Sequence, residues 1–107
     1  MVASTTIKDP LMDRRTEHSA RQLGEHFAAW RKLLNLTAQQ VAERADISRG
    51  TLRRLENGKP VGVDTLLTVA RALGIADTLV DAVDPWQSDI GRLRAGAALP
   101  QRVRRNG

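Results

Sequence analysis

The chain has 107 residues, 41% of them hydrophobic, and carries 17 Lys and Arg against 12 Asp and Glu, a net charge of +5. That length holds one domain with a modest core and excludes two. The lack of cysteine excludes a disulfide framework and a thiolate metal site, and no apolar run approaches the ~20 residues of a membrane-crossing helix. The basic excess is almost all arginine, which suits a polyanionic partner met through forked guanidinium contacts. With no signal-type apolar stretch near the N-terminus, a cytoplasmic protein with no membrane partner is expected.

Residues 1–18 mix Thr, Asp, Pro and charges without a sustained period, which predicts a flexible arm. Lys8, Arg14 and Arg15 lie in it, and a solvated terminus accounts for them more simply than contact with phosphate does. A first helix is predicted over residues 19–34, with Leu23, Phe27, Trp30 and Leu34 as its buried stripe. Aromatics on such a stripe are read as core rather than as a ligand pocket. Asn35 is placed to end the helix in the left-handed conformation.

Residues 36–59 read as two short helices joined by a tight turn. Thr37 caps the first, and Gln40 three residues on completes a capping box. Val41, Ala42 and Ala45 form its apolar side. Asp46 and Ile47 make the turn, Ser48 caps the second helix, and Asn57-Gly58 stops it. At ~100° per residue, Arg49, Gly50, Arg53, Arg54 and Asn57 share one arc of that second helix, and Leu52 and Leu55 lie opposite. An α-helix fits the major groove of duplex DNA, where arginine can donate two hydrogen bonds to one guanine. A glycine at position 50 lets the backbone come close to its target.

Pro60-Val61-Gly62 follows as a loop. Asp64 is expected to cap a fourth helix whose apolar residues are Leu66, Leu67, Val69, Ala70 and Leu73 and which stops at Gly74. A short fifth helix is expected over 76–82, with Leu79, Val80 and Val83 available for a dimer contact. Asp84-Pro85 marks a boundary. Beyond it, Arg92, Arg94, Arg102, Arg104 and Arg105 make a basic extension, too polar and too broken by Gly and Pro for a core of its own. Trp86, Ile90 and Leu93 have near-helical spacing and are candidate partner contacts. The terminal arginines are placed to track phosphates.

Catalysis is not expected. His18 and His26 are the only histidines, and no carboxylate stands at metal-ligand spacing. There is no Gly-rich phosphate loop and no nucleophile elbow. No metal and no cofactor are expected.

The central stretch resembles the helix-turn-helix of the Xre, Cro and lambda-repressor family. The residues that carry the resemblance are Leu36-Thr37, Val41-Ala42, Ile47-Ser48, Leu52, Leu55-Glu56-Asn57-Gly58-Lys59 and the later Leu66, Ala70 and Leu73-Gly74, and the likeness extends over about residues 23–83. It implies that the helix over 48–57 enters the major groove, and that a homodimer binds double-stranded DNA at half-sites about one helical turn apart. It places base reading on Arg49, Gly50 and Arg54. Supporting and phosphate contacts fall on Thr37, Ser48, Thr51, Arg53, Asn57 and Lys59. It also implies a structural ion pair between Arg31 and Glu56.

Two departures stand out. Ala38 occupies a position where the family often has a phosphate-bonding Gln, and Asp46 occupies the usual Gly of the turn. Asp tolerates left-handed backbone better than most residues, so the turn is expected to survive.

The expectation is an all-α fold of five helices: a flexible arm at 1–18, a helix-turn-helix domain at 19–84 and a basic extension at 85–107. Its expected function is sequence-specific DNA binding as a transcriptional repressor. The alternative rests on a shorter similarity of the C-terminal run to antitoxins of HipA-type kinases. It implies a module that neutralises a kinase-type toxin through that run and regulates its own operon.

Overall fold

A computed structural model describes residues 13–98, and all regular structure among them is helical. The fold divides after Ile75 into two compact units. The first holds α1 (Arg14–Leu33), α2 (Ala38–Ala45), α3 (Arg49–Glu56) and α4 (Val63–Leu73). The second holds α5 (Ala76–Ala82), a 3₁₀ turn (Pro85–Gln87) and α6 (Asp89–Ala98). Lys8 and the terminal arginines Arg102, Arg104 and Arg105 lie outside the described residues.

Helix α1 begins within the stretch expected to be an arm. Asp13 caps it by accepting the backbone N–H of Thr16 at 2.8 Å, and Glu17 in the first turn complements the helix dipole. These first turns bury nothing, so no apolar period marks them in the sequence. The buried line of α1 also differs from the expected stripe. Gly24 and Phe27 are buried and Leu23 is half-buried, whereas Trp30 and Leu34 are each 44% exposed. The contact face passes instead through Ala20, Gly24, Phe27 and Arg31, because α3 crosses α1 on the Gly24 side.

The four helices of the first unit end alike. Asn35, Asp46, Gly58 and Gly74 all take positive φ, at 59°, 57°, 75° and 79°. In each case the left-handed residue donates its N–H three residues back, and the next residue donates five back. Asp46 N to Glu43 O at 3.2 Å and Ile47 N to Ala42 O at 3.0 Å is one such pair. This satisfies carbonyls that a helix end otherwise leaves open, and it turns the chain within two or three residues. Asn and Asp can serve because their short polar side chains tolerate this conformation.

Helix starts are equally local. Around Thr37 the capping box is complete, with Gln40 N to Thr37 Oγ1 at 3.0 Å and Thr37 N to Gln40 Oε1 at 2.8 Å. Ser48 Oγ accepts Thr51 N at 3.0 Å at the start of α3. For α4 the expected cap is corrected. Gly62 occupies the cap position without a side-chain bond, and Asp64 lies two residues inside, in the first turn, where its carboxylate accepts Thr65 N at 2.9 Å. The extended Pro60-Val61-Gly62 segment delivers the chain two residues earlier than the acidic residue suggested.

Helix α1 packs on α3 and α4, and α2 packs on α3 and α4. The largest fully enclosed side chains come one from each of these helices: Phe27, Val41, Leu52 and Val69, all at 1% exposure or less. Burying a side chain of this size stabilises a fold by roughly 1.5–3 kcal/mol. Ala42, Ala45, Leu55, Ala70 and Leu73 complete the core.

The five expected helices are present, and the second unit adds a 3₁₀ turn and a sixth helix where a broken extension was expected. The 3₁₀ turn is capped by Asp84, which accepts Trp86 N at 2.9 Å. Helix α6 starts where Ser88 Oγ accepts Gly91 N at 2.9 Å, and its Asp89 lies in the first turn. Arg92 holds turn and helix together, donating to Trp86 O at 2.7 Å and pairing with Asp89. Caps and an alanine-rich run are enough to make this helix, with little apolar periodicity to announce it.

Candidate nucleic-acid interface

Helix α3 sorts its residues by side. Leu52 and Leu55 are buried at 1% and 4% exposure, while Arg49, Gly50, Arg53, Arg54 and Asn57 are all exposed. An eight-residue helix therefore holds its leucines in the core and carries three guanidinium groups outside it. Arg53 and Arg54 sit in the last turn, where the helix dipole favours positive charge.

The three arginines do not form one row. Arg49 and Arg53 stand one turn apart and line a polar recess of about 210 Å³ together with Ala38, Asn57 and the Arg31–Glu56 pair. Arg54 turns to the other flank, where Nη2 donates to the carbonyl of Pro60 at 2.7 Å. That flank borders an apolar groove of about 320 Å³ whose lining includes Leu23, Leu55, Lys59, Pro60 and Leu66.

Gly50 sits in the open. A Cβ added there would meet only Ser48 Oγ, at 3.8 Å, so packing does not require glycine at this position. Thr51 is half-buried, and its hydroxyl accepts a bond from Ser48 Oγ at 2.9 Å, so these two side chains are engaged with each other at the cap. Thr37 is exposed at the start of α2, and Asn57 and Lys59 are exposed at the end of α3.

Two devices fix the pose of α3. The first is the ion pair. Arg31 Nε donates to Glu56 Oε2 at 2.8 Å and Nη2 to Oε1 at 3.1 Å, while Nη1 reaches Leu36 O at 3.3 Å. Both side chains are 15% exposed. The hydrogen-bonded carboxylate raises the pKa of Arg31 above its already high value. The second device was not foreseen from the sequence. A Cβ at Gly24 would lie 2.5 Å from the carbonyl oxygens of both Leu55 and Glu56, so α1 and α3 approach as only a glycine permits. The available signal was a glycine inside a helical pattern, between Leu23 and Phe27.

Trp86, Ile90 and Leu93 belong to the second unit, where they are 38%, 60% and 75% exposed. Among the described residues no cluster of His, Cys, Asp or Glu is placed to hold a metal, and no helix is long and apolar enough to cross a membrane.

The family model described as helix-turn-helix matches residues 27–79. Comparison with curated proteins and with solved structures gave no match.

Proposed function

The chain belongs to the helix-turn-helix family of Xre and lambda-repressor-like DNA-binding transcription regulators, and from that premise we propose that it is a sequence-specific repressor that binds as a homodimer. Helix α3 lies in the major groove, with Gly50 and Arg54 toward the base edges. Thr37, Ser48, Thr51, Asn57 and Lys59 line the approach to the sugar-phosphate backbone. The protein acts in the cytoplasm by binding rather than by catalysis.

The observation that carries this reading is the two-sidedness of α3. Its apolar side is spent on the core, while its exposed arc holds three arginines and a glycine that the fold does not need. A free helix position occupied by glycine costs stability, so an external surface that must approach closely is the physical reason to keep it.

Selection from a random duplex library with the purified chain tests the reading directly. Gly50→Ala then separates fold from function: it raises stability by about 0.5–1 kcal/mol and weakens operator binding. Arg54→Ala costs about 1–3 kcal/mol of operator affinity and relaxes preference at one position per half-site. Equal binding of operator and random duplex by the parent and by Arg54→Ala alike would refute the assignment.

A second reading draws on the exposed Trp86, Ile90 and Leu93. In it the C-terminal unit contacts a kinase-type toxin protein, and the chain regulates the shared operon. Capture of such a kinase that is lost in Trp86→Ala and Leu93→Ala, with operator affinity kept, supports it.

A further inference from the structure

Arg49 and Arg53 face the same recess from one flank of α3, and both are exposed. Among the described residues neither pairs with a carboxylate. The acid nearest to hand, Glu56, has both oxygens occupied by Arg31. The recess therefore keeps the positive charge of two guanidinium groups beside a neutralised pair. Ala38, Leu52 and Asn57 complete its lining. The recess has a volume of about 210 Å³.

Two forked cations one helical turn apart around a polar recess suit a tetrahedral oxyanion, with one unesterified oxygen for each guanidinium. The edge of a base is flat and offers no such pair of diverging acceptors to both side chains. Resting on the DNA-binding reading above, we infer that Arg49 and Arg53 form a two-armed seat for one phosphodiester group of the duplex. Arg49 then anchors the backbone, and base reading belongs to the Gly50 and Arg54 side of the helix. Arg31 is a positioning residue for the seat, because it keeps Glu56 from capturing either arginine.

The experiment measures binding of the full chain, Arg49→Ala, Arg53→Ala and the double variant to the selected operator and to a random duplex, between about 50 and 200 mM salt. The single variants weaken both duplexes by similar factors. The double variant lowers the slope of log K against log salt by about one unit per half-site, the value for one phosphate. A scan replacing single phosphates of the operator with neutral methylphosphonates then finds one position per half-site that weakens the parent by about tenfold or more and leaves the double variant unaffected.

Two results overturn the inference while leaving DNA binding intact. Arg49→Ala changes base preference at one position with an unchanged salt slope, or the double variant loses about two units of slope per half-site and maps to two phosphates. A parent that enriches no duplex overturns the proposed function itself.

Discussion

Arg31 closes on both carboxylate oxygens of Glu56, at 2.8 and 3.1 Å, and so ties the last turn of α1 to the last residue of α3. At 15% exposure each, the side chains lie between two regimes. An exposed pair contributes up to ~1 kcal/mol, whereas breaking a fully buried one costs ~3–5 kcal/mol. Arg31→Met is expected to cost about 2 kcal/mol in urea unfolding, most of it from the stranded carboxylate. Arg31→Met with Glu56→Leu is expected to recover part of that loss. The single variant also binds DNA more weakly than its stability explains, because the freed Glu56 can engage Arg53 one turn away.

Gly24 sets how closely α1 and α3 approach. In Gly24→Ala the new methyl would lie 2.5 Å from two backbone oxygens, which have no flexible end to move aside. Helix propensity alone would favour alanine by ~1 kcal/mol, yet the expected outcome is a net loss of about 1–3 kcal/mol, as in other overpacked sites. Equilibrium unfolding reads the loss. Operator affinity measured where the variant is still folded reads the displacement of α3.

The left-handed turn residue between α2 and α3 is an aspartate with φ of 57°. Asp46→Gly is expected to stabilise the fold by about 0.5 kcal/mol, since glycine holds this conformation without a Cβ. Asp46→Val is expected to cost about 1–2 kcal/mol, because a branched side chain clashes there. Thermal unfolding of the two variants gives opposite signs if the turn governs.

The start of α1 is predicted to be acid-sensitive. The backbone N–H of Thr16, and then its side chain, hold the Asp13 carboxyl below its ordinary pKa. A carboxyl with a lowered folded-state value contributes stability above its unfolded pKa and loses it as pH falls through the folded one. The protection of the Thr16 amide, the factor by which it exchanges more slowly than an unstructured peptide at the same pH, is therefore expected to be higher near neutrality than in strong acid, while Asp13→Asn shows no such step.

What was legible in the sequence was mostly local. Thr37 with Gln40, Ser48, Gly58 and Gly74 announce helix ends because a cap involves only residues three to five apart. The arc of α3 was legible for the same reason, since a helical wheel needs no neighbour. Trp30 was misplaced because the buried side of α1 depends on where α3 crosses it, and the residue that decides this, Gly24, has no side chain to signal it. Helix α6 was missed because its start rests on Ser88 and Arg92 rather than on an apolar stripe. Arg54 stands ~140° round the wheel from Arg49, but the carbonyl of Pro60 that holds it on that flank was not visible.

The outward residues of α3 take no part in enclosing Phe27, Val41, Leu52 or Val69. The scaffold is thus indifferent to what that arc spells. On the proposed reading, new side chains grafted at positions 50 and 54 would retarget the protein to another duplex with the core left as it is, so its recognition can diverge by substitution alone while its architecture stands still.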